Sequence, residues 1–197
     1  MDPDLQRTLE TLRAGGLVAW PTDTTWGLLA RADRPETLRR IYALKNRPEH
    51  KPLQLLVASA EGAADLVAPG PWRTGFERLA AAFWPGGLTL VVPAAPAAPP
   101  AVVRGGKVGL RVPADAALRE VLAALGGWAA ATSLNRSGEP PVASHAQAMR
   151  YADRVDRVHP GEAGGRLTST VFDLEARRVL RAGAVSEAAL WEVLETS

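Results

Sequence analysis

The sequence contains no cysteine, only three histidines and two methionines, and lysine at just three positions, 45, 51 and 107. Without cysteine there is no disulfide framework and no thiolate chemistry, and a cytoplasmic location is the simplest expectation. No run approaches the roughly 18 to 20 consecutive apolar residues of a membrane span, so no membrane association is expected. The N-terminus, MDPDLQRTLETL, is acidic and amphipathic where a secretory signal would be basic and then apolar. His50, His145 and His159 lie far apart without metal-ligand spacing, which argues against a zinc site. There is no G-x-S-x-G elbow. Around Gly106-Lys107 the phosphate-loop pattern fails, because Ala101 stands for its first glycine and Val108 for its hydroxyl residue. No dinucleotide fingerprint follows the first strand-like segment.

What is present suits one domain with a sizeable core, spanning 1–197: 197 residues, 47% of them hydrophobic, 22% charged, with a formal net charge of +2. With three lysines among 23 basic residues, the rest are arginine. Arginine presents a planar fork suited to phosphate and carboxylate, although codon bias toward GC gives the same enrichment without functional meaning. Arg39-Arg40, Arg177-Arg178 and the trio Arg150, Arg154 and Arg157 read as solvated surface.

Apolar spacing predicts helices over 4–14, 35–45, 73–83, 114–125, 145–151 and 186–194. Gly15-Gly16 end the first, and the second must stop before Pro48. Ser144 with Gln147 resembles a capping box. LVAW, LQLLVA, LTLVVPA, VGLRVP, WAAATS and STVFDL read as strands. The alternation implies an α/β fold. PAAPAAPPAVVRGGK, 93–107, reads as a loop between strands. Polar clusters gather at strand ends: PTDTTWGL, KNRPEHKP, RVP with Arg111, TSLNRSG, TST and RAG. Each alone is ordinary turn chemistry. Together they bring cations, hydroxyls and an amide to the positions where open α/β sheets bind ligands, and a polyphosphate would suit them.

The succession PTDTTWGL, KNRPEHKPL, FWPGGLTLV, VGLRVP, SLNRSG, STVFDL and LRAG closely resembles the YrdC family, the threonylcarbamoyl-AMP synthases, from about Gly15 to Gly183. The K-x-R and S-x-N pair, Lys45, Arg47, Ser133 and Asn135, is its most specific part. The resemblance implies a twisted mixed sheet with surrounding helices and a concave basic cavity. It implies a single domain without the C-terminal extension of longer relatives. It also implies an enzyme, a nucleotidyltransferase, that makes threonylcarbamoyl-AMP and pyrophosphate from L-threonine, bicarbonate or carbon dioxide, and ATP. A partner transferase would then modify tRNA.

By the same resemblance Lys45, Arg47, Ser133 and Asn135 carry the catalysis. Lys45, Arg47, Lys51 and Lys107 face the ATP phosphates, Ser133, Asn135 and Ser137 complete the nucleotide site, and Arg181 is a further ATP contact. Thr22, Arg111 and Ser169 hold threonine, with Arg111 on its carboxylate. Mg2+ is expected through the phosphates, with no metal site built by the protein. The family pattern is departed from at Leu134, at Trp26 in place of tyrosine, and at Arg181-Ala182-Gly183, which lacks the usual proline. The competing readings are an RNA-binding module, against which no RNP, KH or zinc-knuckle pattern is found, and an adenylating enzyme for another amino acid. Direct RNA contact is possible within the main reading as well.

Overall fold

The computed structural model describes residues 1–48, 50–165 and 167–195. Helix α1, Pro3–Arg13, is started by the Asp2 carboxylate, which accepts the Asp4 amide, and it buries Leu5, Leu9 and Leu12 along one face. Strands β1, Val18–Pro21, and β2, Trp26–Ala30, follow as an antiparallel hairpin around the Thr22–Thr25 turn. Helix α2, Pro35–Lys45, takes proline in its first turn and ends at Asn46, whose φ of 47° is left-handed. The chain therefore leaves the helix before Pro48, as proline sterics require.

Next come β3 (Gln54–Val57), α3 (Ala60–Ala64), α4 (Arg73–Phe83), β4 (Leu88–Pro93) and β5 (Lys107–Arg111). The segment between β4 and β5 is a connection with one 3-10 turn, Pro100–Val102. Helix α5, Ala116–Leu125, is capped by Asp115 and closed by left-handed Gly126. Then follow β6 (Trp128–Ser133), α6 (His145–Ala148), β7 (Arg157–Val158), β8 (Thr170–Asp173), β9 (Arg178–Arg181) and α7 (Glu187–Glu195). The capping box at Ser144 and Gln147 has both of its halves, but α6 is one turn continued by a 3-10 turn to Tyr151.

The strands form one sheet in the order β7-β1-β2-β6-β3-β5-β4-β8-β9. Pairs β1–β7, β3–β5 and β4–β8 are parallel and the others antiparallel, so the sheet is mixed. Alternation along each strand sorts side chains between two cores. Leu17 and Ala19, Leu53, Leu55 and Val57, Leu88, Leu90 and Val92, and Val108 and Leu110 join residues of α2, α3, α4 and α7 on one face. On the other face Val18, Trp20, Leu29, Leu56 and Ala129 pack under α1 and α5. Those two helices cover only the β1, β2, β6 and β3 part of that face. Beyond them the sheet is open, and the opening is the cleft described next.

Arginine at 157 corrects the surface reading of its trio. Its guanidinium is half-buried, donating to Thr8 Oγ1 at 2.9 Å and to Asp4 Oδ1 at 2.6 Å. Among the described residues no helix is long and apolar enough to cross a membrane.

Candidate active site

The open half of the sheet face forms a cleft of about 680 Å3, within the range of small-molecule sites. Its lining follows strand alternation: Gln54 and Leu56 from β3, Thr89 and Val91 from β4, Lys107, Gly109 and Arg111 from β5, Ala131 and Ser133 from β6, and Ser169 and Val171 at β8. The site is thus built on the face of the sheet as well as on the loops at strand ends, where it was expected. Of the eleven predicted residues, eight line it: Thr22, Arg47, Lys51, Lys107, Arg111, Ser133, Ser169 and Arg181. No carboxylate lines it among the described residues.

One pole is built by the β1–β2 turn and the end of β5. Arg111 is 3% exposed. Its Nε donates to Gly86 O at 2.8 Å, one terminal nitrogen to Thr24 Oγ1 at 2.9 Å, and the other to both oxygens of Asp23 at 2.8 Å. Burial lowers its pKa while Asp23 opposes the shift, and the guanidinium keeps its charge. Arg111 is therefore not a bare cation awaiting a carboxylate. At most four of its five N–H donors are committed, which leaves one on the nitrogen that meets Thr24. Thr22 Oγ1 donates to Thr25 O at 2.7 Å and accepts from the Thr24 amide, so these hydroxyls lock the turn. Ser169 Oγ lies 2.9 Å from Thr89 Oγ1 and accepts from Arg181 at 3.0 Å, and Thr89 in turn donates to Gln54 Oε1.

The other pole lies where α2 hands over to β3. Arg47 is half-buried and folds back onto its own loop, donating to Lys51 O at 3.1 Å and Pro52 O at 2.8 Å. The stiff loop is thus tied by the very arginine it presents. Desolvation lowers the Arg47 pKa, again without removing its charge.

Lys45 was expected to face the phosphates, and it instead lies behind the cleft wall, 2% exposed. Its ammonium donates to Ser133 O at 2.5 Å, Asn135 O at 2.7 Å and Asn135 Oδ1 at 3.0 Å. Burial, with Arg47 and Arg181 nearby, pushes its pKa down to about 7. Three acceptor oxygens, which only an ammonium can satisfy together, oppose that shift.

Asn135 is also buried behind the wall, accepting from Ser133 Oγ at 2.6 Å and donating to Arg136 O and Glu139 O. Ser137 is exposed and outside the lining; its amide donates to Lys45 O at 2.8 Å. Lys107 lines the cleft but sits on Asp173, at 2.9 Å, and on Glu175, at 2.7 Å. Burial alone would lower its pKa, and these two carboxylates outweigh that and raise it.

The sequence reading passed over Asp23 as a partner of Arg111, and over Gln54, Thr89 and Arg104 in the lining. A signal existed for two of these: Gln54 and Thr89 are single polar residues inside the apolar runs LQLLVA and LTLVVP, at positions that alternation turns toward one face. Among the described residues no three His, Asp or Glu side chains gather to hold a metal ion.

A family model described as Sua5_yciO_yrdC, telomere recombination, matches residues 10–183. The chain belongs to this family. A threonylcarbamoyl-AMP synthase of Halorhodospira halophila is 38% identical over 159 residues, 78% of this chain and 81% of that one. Another, from Chromobacterium violaceum, is 36% identical over 179 residues, 89% of this chain and 91% of that protein. Among solved structures, P. abyssi Sua5 complexed with L-threonine superposes with a TM-score of 0.86 at 32% identity. The match covers 97% of this chain and 57% of that longer one. E. coli YciO shares the fold, with a TM-score of 0.81 at 23% identity over 92% of this chain and 90% of its own.

Two departures from the Sua5/YciO/YrdC pattern find their places. Leu134 is fully buried in the larger core, so its side chain does not narrow the cleft. Trp26 is fully buried in the same core with its ring 5.8 Å from that of His145, and its Nε1 is the one buried side-chain polar atom without a partner among the described residues.

Proposed function

We infer that this protein is an L-threonylcarbamoyladenylate synthase, making threonylcarbamoyl-AMP and pyrophosphate from L-threonine, bicarbonate or carbon dioxide, and ATP. Threonine nitrogen takes up carbon dioxide, and the new carboxylate attacks the α-phosphorus of ATP. The bond to the bridging oxygen breaks and pyrophosphate leaves with its electron pair. Both reactants are anions, so the work of the protein is to neutralise and orient them. Phosphoryl substitution of this kind needs little covalent help, which suits a cleft whose lining, among the described residues, holds no histidine or carboxylate to activate a nucleophile.

The observation that carries the reading is the open cleft itself, which has cations at both ends and no lining carboxylate among the described residues. In this reading the Thr22, Arg111 and Ser169 end takes threonine, the amino acid with which P. abyssi Sua5 was solved. Its carboxylate meets the uncommitted N–H of Arg111. Arg47, Lys51 and Arg181 meet the phosphates, with Ser133 and Ser137 toward the nucleoside. Lys45 and Asn135 act from behind, fixing the Ser133 wall. Lys107 serves the nucleotide side with its charge offset by Asp173 and Glu175.

The donor set fits a Mg2+ ion carried in on the ATP phosphates rather than one caged by side chains; such an ion would supply further neutralisation of the triphosphate. The product is a reactive mixed anhydride, so a transferase that moves the threonylcarbamoyl group onto tRNA adenosine must consume it, and we place the reaction in the cytoplasm. Direct contact with RNA by exposed arginines would be a salt-sensitive addition.

The test is pyrophosphate release with each substrate omitted in turn. Release should require ATP, threonine and bicarbonate together. Serine should be a weak substrate, because one missing methyl is worth only about 1 to 3 kcal/mol. An RNA module would instead bind RNA and release nothing under any combination.

A further inference from the structure

The proline-rich connection between β4 and β5, residues 94–106, is anchored rather than slack. Ala98 and Val102 are buried in the larger core. The Ala94 and Ala95 amides donate to Gly106 O at 2.8 Å and Leu66 O at 2.9 Å. The connection ends in a two-residue turn, where Arg104 and Lys107 exchange amide-to-carbonyl bonds of 3.0 Å in both directions. Between them Gly105 and Gly106 have φ of 56° and 73°, the left-handed pair that such a turn demands. Residues that exchange both bonds stand directly opposite each other, with their side chains on one face. Arg104 and Lys107 accordingly both line the cleft.

The two cations differ in what they hold. Lys107 is occupied by Asp173 and Glu175. Among the described residues the Arg104 guanidinium donates from one terminal nitrogen only, to Ala101 O at 3.2 Å and Val103 O at 2.8 Å. In the other three arginines of the lining, Nε goes to a main-chain oxygen: Arg47 to Lys51, Arg111 to Gly86, and Arg181 to Ser169. Each of those three also commits a terminal nitrogen to the protein. Arg104 alone of the four keeps Nε and a whole terminal nitrogen for a ligand. That edge carries two parallel N–H bonds, the fork that matches two oxygens of a phosphate.

Its neighbours call for an anion of more than one charge. Strands β3 and β5 run parallel with Leu55 beside Leu110, which brings the Lys51–Pro52 approach to β3 alongside Lys107. Arg47 is tied to that approach through Lys51 O and Pro52 O. Arg47, Lys51, Lys107 and Arg104 therefore share one end of the cleft, and Arg111 stands toward the other.

We propose that Arg104 binds the terminal phosphates of the nucleotide, those that leave as pyrophosphate, through its free Nε edge. The inference rests on the function proposed above. It adds a fourth cation to the phosphate end, on an element apart from the α2–β3 loop.

The experiment uses full-length Arg104→Gln and Arg104→Lys, with Arg39→Gln as a control that removes an exposed charge outside the lining. Melting temperature is measured first, and then calorimetric binding of pyrophosphate, ATP, AMP and L-threonine, each alone. Arg104→Gln should weaken pyrophosphate and ATP about tenfold or more, the loss expected for charge-assisted bonds. AMP and threonine should bind within a few-fold of the parent, and the melting temperature should not move. Lysine should recover part of the loss, because it keeps the charge without the fork. Arg39→Gln should bind all four as the parent does. The proposal is overturned if Arg104→Gln holds pyrophosphate and ATP as tightly as the parent. It is equally overturned if AMP weakens as much as ATP, if Arg39→Gln shows the same loss, or if a lower melting temperature accompanies weaker binding of all four. A parent that binds ATP and pyrophosphate, yet releases none from the full substrate set, removes the proposed synthase and leaves the polyphosphate contact standing. A parent that binds neither removes both.

Discussion

The ammonium of Lys45 sits between the two oxygens of Asn135, 2.7 Å from the main-chain oxygen and 3.0 Å from Oδ1. The K-x-R and S-x-N motifs, about ninety residues apart, are thereby one piece of structure. The lysine stands behind the wall that the serine presents to the cleft.

Replacing Lys45 by methionine should therefore destabilise the fold as well as slow the reaction. Three oxygens lose the ammonium, although Asn135 Oδ1 keeps the hydroxyl of Ser133, and an unsatisfied buried polar group costs about 1 to 3 kcal/mol. The expected result is a clear drop in melting temperature together with lost turnover. Arginine, whose planar fork differs from the ammonium, should rescue neither. A methionine variant that melts like the parent and loses only ATP affinity would assign Lys45 to the phosphates directly.

Leu134→Ala tests the departure inside the S-x-N motif. Leu134 is 0% exposed and belongs to the core. Truncation should cost about 2 to 5 kcal/mol of stability, with affinities for ATP and threonine unchanged in the folded fraction. Calorimetry that found altered ATP affinity at an unaltered melting temperature would put this side chain in the pocket after all.

His159 gives the fold an acid limit. Thr8 Oγ1 accepts from Arg157 and lies 2.9 Å from His159 Nδ1, and the ring stacks 3.7 Å from that of Trp20. Burial and then Arg157 push the histidine down to about 4 from the ordinary 6.5, although Asp4, Asp115 and Asp2 pull the other way. The folded value lies below the unfolded one, so the neutral ring supports the fold above pH 6.5, and that support is lost as the pH falls through 4. The shift corresponds to an effect on the order of 3 kcal/mol. Melting temperature against pH should fall less steeply between these values in His159→Gln than in the parent. Parallel curves would show that the acid limit lies elsewhere.

Much of this architecture could be read from the sequence, for identifiable reasons. Pro35 and Pro48 bracket α2 because proline restricts helix interiors from both sides, and Ser144 with Gln147 announces its capping box. Strands β7 and β9 escaped notice: one has two residues, and the other, RVLR, exposes arginines at an edge and lacks an apolar run. β2 was hidden because WGLLA continues straight from the polar turn that precedes it. The cleft residues were legible as a set through their resemblance to a family pattern. The pairing of Arg111 with Asp23 and of Lys107 with Asp173 was not, because those contacts join residues 88 and 66 positions apart. No local pattern encodes such distances.

The central claim is best tested by following the carbon of bicarbonate. With ATP, L-threonine and 13C-labelled bicarbonate, mass spectrometry of the quenched reaction should find threonylcarbamoyl-AMP carrying one label, formed in step with pyrophosphate. The account is contradicted by unlabelled threonyl-AMP, which would mean that the carboxylate of threonine itself attacks the α-phosphate, or by the absence of any adenylate.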